Sequence, residues 1–168
     1  ARVGAVAHGG DPKALGGSAR AKAMEWVAAY RHYRERNPPV TIVRLFNTVG
    51  PRQTGHYGMV VPTLVRQALT NQPLTVFGDG TQTRCFGHVA DIIDGLMRLL
   101  DHPDAVGDVF NVGSPGEISM TDLAKKVIAV TNSSSPIELI PYDQASEAGF
   151  RDLQRRGPDT TKMLEPPA

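Results

Sequence analysis

VTIVRLFNTVGPRQTGHYGMVVPTLVRQAL, Val40 to Leu69, is the stretch that decides the fold. Val40 to Phe46 is β-branched and largely apolar without alternation, the pattern of a strand buried on both faces. Asn47 to Gly58 is a loop of turn residues. Val60 to Leu69 reads as a helix, with Pro62 in the first turn, where a missing N–H breaks no intrahelical bond. A strand that runs into a polar, glycine-rich loop and then a helix is how open α/β sheets present a ligand site. Asn47, Thr48, Arg52 and the free N–H groups opening the helix suit an anion such as a phosphate. An ordinary surface loop fits the same residues, and physics alone leaves both readings open.

On the N-terminal side, residues 1–17 are rich in Gly and Ala and carry no clear period. Gly9-Gly10 and Gly16-Gly17 interrupt any regular element, so this stretch is expected to be loose. A helix is expected from Ser18, which can cap it, to Arg36, stopped by Asn37-Pro38-Pro39. Met24, Val27, Ala28 and Tyr30 give it a partial apolar stripe.

On the C-terminal side, Leu74 to Phe77 is a short strand, Gly78-Asp79-Gly80 a turn, and Arg84 to His88 an extended piece. Val89 to Leu100 is an amphipathic helix, and Asp108 to Val112 a strand that ends at Gly113. Ser119-x-x-Asp122 opens a helix to Thr131 as a close variant of the capping box. Ile137 to Ile140 is a last strand, and a tail carrying Arg151, Arg155 and Arg156 follows. Strands alternating with helices give an α/β architecture.

Two further places invite a ligand. The strand Leu74 to Phe77 has edge groups that can read a planar base, and Arg84 beyond the glycine turn can reach a diphosphate. Spacing alone favours a hairpin with a surface arginine. Arg156, before Pro158-Asp159, is by itself one more solvated charge.

The chain has 168 residues, 40% of them hydrophobic and 21% charged, with a net charge of +1. That balance places it among globular proteins and gives no basic patch for nucleic acid. One cysteine, Cys85, fits a reducing, cytoplasmic setting. No apolar run approaches the roughly 20 residues a bilayer requires, so no membrane partner is expected. No residue pattern points to a metal.

RLFNTVGPRQ, VVPTLVRQAL, LTVFGDGTQTR, HVAD, FNVG and Arg156-x-Pro158-Asp159 together resemble the extended short-chain dehydrogenase/reductase family. Within it they are similar to the NAD-dependent epimerase/dehydratase branch of UDP-glucose 4-epimerases and UDP-glucuronate decarboxylases. The motifs keep family order and spacing over about residues 22 to 164, and six in order are far more specific than one. The resemblance implies the C-terminal portion of an extended Rossmann-type, NAD(P)-binding fold plus the small α/β substrate-binding domain. Residues 1–21 fall outside it, and residues 22–168 interleave partial Rossmann strands with the nucleotide-sugar-binding part.

Roles are implied position by position. Lys22 matches the lysine of the catalytic Tyr-x-x-x-Lys pair, which also holds the nicotinamide ribose, and Phe46 and Val49 lie in the segment facing the nicotinamide. Asn47 matches a contact to the sugar-diphosphate, and Val60 a backbone N–H on a phosphate. Thr75, Val76 and Phe77 match the strand flanking the uracil, and Arg84 and Arg156 two arginines that grip the diphosphate.

The departures carry equal weight. Ser18 stands where the family has its tyrosine, and an aliphatic hydroxyl cannot be tuned to take a proton near pH 7. The G-x-x-G-x-x-G loop is absent, so tight NAD binding by this chain is not expected. The resemblance thus implies a UDP-glucose 4-epimerase-like enzyme lacking its N-terminal half, with decarboxylation or dehydration through the same 4-keto intermediate as the variants. The alternative is a non-catalytic, nucleotide-sugar-binding remnant or half-enzyme that requires a partner. Expected partners are a UDP-sugar and either a second copy, paired through the helix at 18–36, or a complementing N-terminal half.

Overall fold

The computed structural model describes residues 2–5, 17–55, 59–145 and 154–164. The first half of the chain forms β1 (Arg2–Ala5), α1 (Gly17–Arg36), β2 (Val40–Leu45), β3 (Thr48–Val49), α2 (Val60–Leu69), β4 (Leu74–Phe77) and β5 (Thr83–Cys85). Then come β6 (Gly87–His88), α3 (Val89–Asp101), a 3-10 turn at Pro103–Ala105, β7 (Val109–Val112), β8 (Glu117–Ser119) and α4 (Met120–Thr131). The last elements are β9 (Ile137–Ile140), α5 (Tyr142–Ala145), β10 (Arg155–Arg156) and α6 (Thr161–Leu164). They divide into one unit of Ala1–Gly50, Cys85–Gly116 and Gly157–Ala168, and another of Pro51–Arg84 and Glu117–Arg156.

The first unit is built on a parallel sheet in the order β1-β2-β7. β2 sits in the middle, and Val40, Thr41, Ile42 and Val43 are all buried, as its unbroken apolar run requires. Ile42 lies opposite Val109 and Leu45 opposite Val112 on one side. On the other side Arg2 lies opposite Val40 and Ala5 opposite Val43. The looseness expected over residues 1–17 is therefore corrected at Arg2–Ala5. An interior strand such as β2 has ladder groups on both edges, and pairing with a second strand satisfies them where water cannot.

α1 connects β1 to β2 and begins at Gly17, so Ser18 stands inside the first turn rather than capping it. Its end is as expected: Asn37 takes a left-handed φ of 49°, its N–H donates to the Tyr33 carbonyl, and two prolines follow. Behind the sheet, Val43, Ile92, Leu99, Ala105, Phe110 and Val112 form one buried cluster. The Arg44 guanidinium lies 5.2 Å from the Trp26 ring centroid, a cation–π contact between β2 and α1.

In the second unit α2 and α4 bury Leu64, Ala68, Leu123, Ala124 and Val127, and β4 buries Leu74 and Val76. β4 pairs in parallel with β9, from Leu74 opposite Ile137 to Phe77 opposite Ile140. A three-stranded sheet runs β10-β5-β8. β4 and β5 belong to different sheets, so the hairpin reading of Leu74 to Asp91 does not hold. The turn between them needs glycine: Gly80 has φ of 74°, and a Cβ there would fall 2.1 Å from the Thr121 hydroxyl.

Candidate nucleotide-binding site

Arg84 and Arg156 occupy paired positions on neighbouring parallel strands. Paired residues of a parallel ladder project to the same face, so two cationic side chains stand side by side in the second unit. Arg84 is only 8% exposed, and its Nη1 donates to the Thr83 carbonyl at 2.6 Å. Like charges at directly opposed positions cost stability, and an anion with several oxygens relieves that cost. Arg156 comes from a two-residue strand far along the chain, which is why it resembled an ordinary solvated charge in the sequence.

β4 supplies the second feature. The Leu74 N–H donates to the Pro136 carbonyl and the Gly78 N–H to that of Ile140, both toward β9. The alternate residues Thr75 and Phe77 therefore turn their backbone groups to the opposite edge. That edge is not wholly free, contrary to the sequence expectation. Gln67 Oε1 accepts from the Thr75 N–H at 3.2 Å while its Nε2 donates to the Thr75 hydroxyl at 2.9 Å. Gln82 Nε2 donates to the Phe77 carbonyl at 2.7 Å. Among the described residues the Thr75 carbonyl and the Phe77 N–H are left on that edge to address a base, an acceptor and a donor with the buried Val76 between them. Gln67 and Gln82 were missed from sequence, because nothing local marks a helix glutamine or a turn glutamine as a strand-edge partner.

Val60 opens α2. Met59 before it is extended and makes no side-chain cap bond, and Pro62 contributes no N–H. The Val60 and Val61 N–H groups thus open a helix whose dipole favours an anion.

In the first unit, Asn47 Nδ2 donates to the Cys85 carbonyl at 2.9 Å, and its backbone carbonyl accepts from the Gly87 N–H at 2.9 Å. Its side chain is therefore oriented by the protein before any ligand arrives, and among the described residues Oδ1 and the second amide hydrogen are still to use. Thr48 and Val49, expected in an open loop, form β3 and pair with Gly87 and His88 of β6. Phe46 packs so closely on Gly113 that a Cβ there would lie 2.9 Å from the Phe46 Cβ. Arg52 holds a left-handed φ of 67° in the turn after Pro51. Ser18 and Lys22 lie on the first turns of α1, and their side chains fall outside the described residues.

Two carboxylates in these motifs serve the backbone. The Thr81 N–H, then the Thr81 hydroxyl, hold the Asp79 carboxyl below its ordinary range. The Thr161 N–H does the same for Asp159, which caps α6. Among the described residues no group of three His, Cys, Asp or Glu could hold a metal ion, and no helix is long and apolar enough to cross a membrane. The residues present do not fit a whole dinucleotide. No glycine triad follows β1 to admit a pyrophosphate to the backbone.

Residues 17–113, more than half of the chain, match the model of the NAD dependent epimerase/dehydratase family. The chain is 44% identical over 134 residues to UDP-glucuronic acid decarboxylase 4 of Arabidopsis thaliana, covering 80% of this chain and 28% of that protein. It is 40% identical over 134 residues to UDP-N-acetyl-alpha-D-glucosaminuronate decarboxylase of Bacillus cytotoxicus, covering 79% of this chain and 41% of that protein. The chain thus spans less than half the length of these relatives. Among solved structures, a UDP-glucuronic acid 4-epimerase from Bacillus cereus in complex with NAD superposes with a TM-score of 0.78 at 26% identity, covering 98% of this chain and 50% of that one.

Proposed function

We propose that this chain, which belongs to the NAD dependent epimerase/dehydratase family, carries the nucleotide-sugar-binding part of an enzyme whose substrate is a UDP-uronic acid. The observation that carries the reading is the placement of Arg156 beside Arg84 on adjoining strands. Two guanidinium groups on one face suit a diphosphate, which gives each an oxygen acceptor in a charge-assisted bond. The Thr75 carbonyl and Phe77 N–H are assigned to the uracil edge, with Val76 holding the strand in its core. The Val60 N–H is assigned to a phosphate at the α2 N-terminus, and Asn47 to the sugar-diphosphate.

The uronic acid rests on the relatives: the two decarboxylases and the epimerase each have a glucuronic-acid-type sugar in their names. Decarboxylation therefore moves ahead of the 4-epimerisation favoured from sequence, which stays as the alternative reaction. NAD would supply the redox chemistry of either reaction. A second reading, nucleotide-sugar binding without turnover, is favoured by Ser18 at the tyrosine position.

Calorimetric titration with UDP tests the site. Each charge-assisted contact contributes about 1.5–3 kcal/mol, so Arg84→Ala and Arg156→Ala should each weaken binding about tenfold or more. Wild-type affinity in both variants would remove the diphosphate role.

A further inference from the structure

We infer that Glu117, with Arg155, is a positioning pair that latches β10 onto β5 and so keeps Arg156 beside Arg84; the inference rests on the arginine-pair reading above. Strand alternation puts Arg84 and Arg156 on one face of the sheet, and Thr83 and Arg155, also paired in register, on the other. On that second face Glu117, at the start of β8, ties all three strands together. Its Oε2 accepts from the Thr83 hydroxyl at 2.9 Å, and its Oε1 from Arg155 Nε at 2.8 Å and from Arg155 Nη2. The Arg155 bonds first, then the Thr83 hydroxyl, hold the Glu117 carboxyl below its ordinary range. A second tie lies one residue earlier: Gln154 Nε2 donates to the Thr81 hydroxyl at 2.8 Å, which itself donates to Asp79 at 2.7 Å.

The need for a latch follows from the size of β10. It has two residues, paired with Thr83 and Arg84, and the Thr83 N–H donates to the carbonyl of Gln154 just before it. Two neighbouring guanidinium groups on the opposite face repel, and the repulsion acts to peel so short a strand away. A carboxylate bonded at once to the central strand and to β10 opposes it. Because one carboxylate oxygen takes both Arg155 nitrogens and the other takes the Thr83 hydroxyl, the pair belongs to a three-strand network rather than standing as an isolated surface ion pair.

Two readouts separate the latch from the reading beneath it. Hydrogen exchange of the Thr83 amide reports whether β10 stays docked, and NMR titrations with UDP and with uridine report whether the diphosphate site is set. In Glu117→Gln and Arg155→Met the Thr83 amide should exchange about tenfold faster, and UDP affinity should fall about fivefold, which is roughly 1 kcal/mol. Uridine, which lacks the phosphates, should bind as before. The exchanged pair Glu117→Arg with Arg155→Glu should recover most of both losses. Unchanged Thr83 exchange in both single variants overturns the latch, as does an equal loss of uridine and UDP, which would mean general damage. If Arg84→Ala binds UDP as well as the wild-type chain, the arginine-pair reading fails instead, and Thr83 exchange still decides whether β10 is latched.

Discussion

Gln67 shows how a single side chain sets the character of a strand edge. It is 8% exposed and turns both ends of its amide to Thr75, so one glutamine converts an open strand edge into a partly closed one. Gln67→Leu keeps the volume and removes both bonds, leaving the Thr75 N–H without its partner. Such a loss costs about 1–3 kcal/mol, and urea denaturation should show it as a lower midpoint at unchanged slope. An unchanged midpoint would mean that water serves that edge. Ser18 enters the proposed reading as a chemical position, the one matched to the family's tyrosine. A serine cannot act as the phenol does near pH 7, and the chain has no glycine triad for the cofactor. With NAD and UDP-glucuronic acid supplied, neither the chain nor its Ser18→Tyr variant should turn over substrate. Release of carbon dioxide or formation of an epimer by the unmodified chain would show that another group takes the proton.

Elements with their own periodic signal were legible. The strands at Val40, Leu74, Val109 and Ile137 and the helices at Val60, Val89 and Met120 stand where apolar pattern and turn residues placed them. What escaped were β1, β3, β8 and β10, strands of two to four residues that exist because a partner strand is alongside, a fact no local window contains. The same limit hid part of the site: Arg84 and Arg156 were expected together through the motifs that carry them, whereas the company of Glu117 and Gln82 is a product of topology. The α4 start was read correctly, since the Ser119 hydroxyl accepts from the Asp122 N–H at 3.0 Å. Ser119→Ala should cost about 1 kcal/mol by thermal denaturation. The Ser119 hydroxyl, then Lys125, also hold the Asp122 carboxyl below its ordinary value of 3.8. A carboxyl depressed on folding adds stability that is full above that value and lost as pH falls through the lower folded one. Acid titration of Asp122→Asn should therefore lose less stability below pH 3.8 than the wild-type chain. An identical acid limb would mean that Asp122 is solvated in both states.

At the scale of the whole molecule the question is what covers the apolar surface of the first unit. Met24 is 72% exposed, Val27 56% and Tyr30 41%, and they follow one another along α1 at intervals of three residues. On α3, Ile93 and Met97 are more than half exposed, and Leu100 completes a second stripe. Among the described residues, no further strand pairs with the outer edge of β1 or of β7. Single exposed apolar residues are ordinary, but contiguous stripes beside unpaired strand edges recruit partners. A second copy of the chain is a sufficient partner, because two α1 helices related by a two-fold axis present the same stripe to one another. The 168-residue chain is therefore expected to self-associate, with an apparent mass in light scattering that rises with concentration. Charging the α1 stripe with Met24→Glu and Val27→Glu should then shift the population toward monomer, as neither side chain is in the core. If those substitutions leave the mass unchanged while association persists, the strand edges or α3 are the contact instead. A monodisperse monomer at every concentration, with one cooperative thermal transition, would mean that the described units close their own cores and that the exposed stripes require no partner.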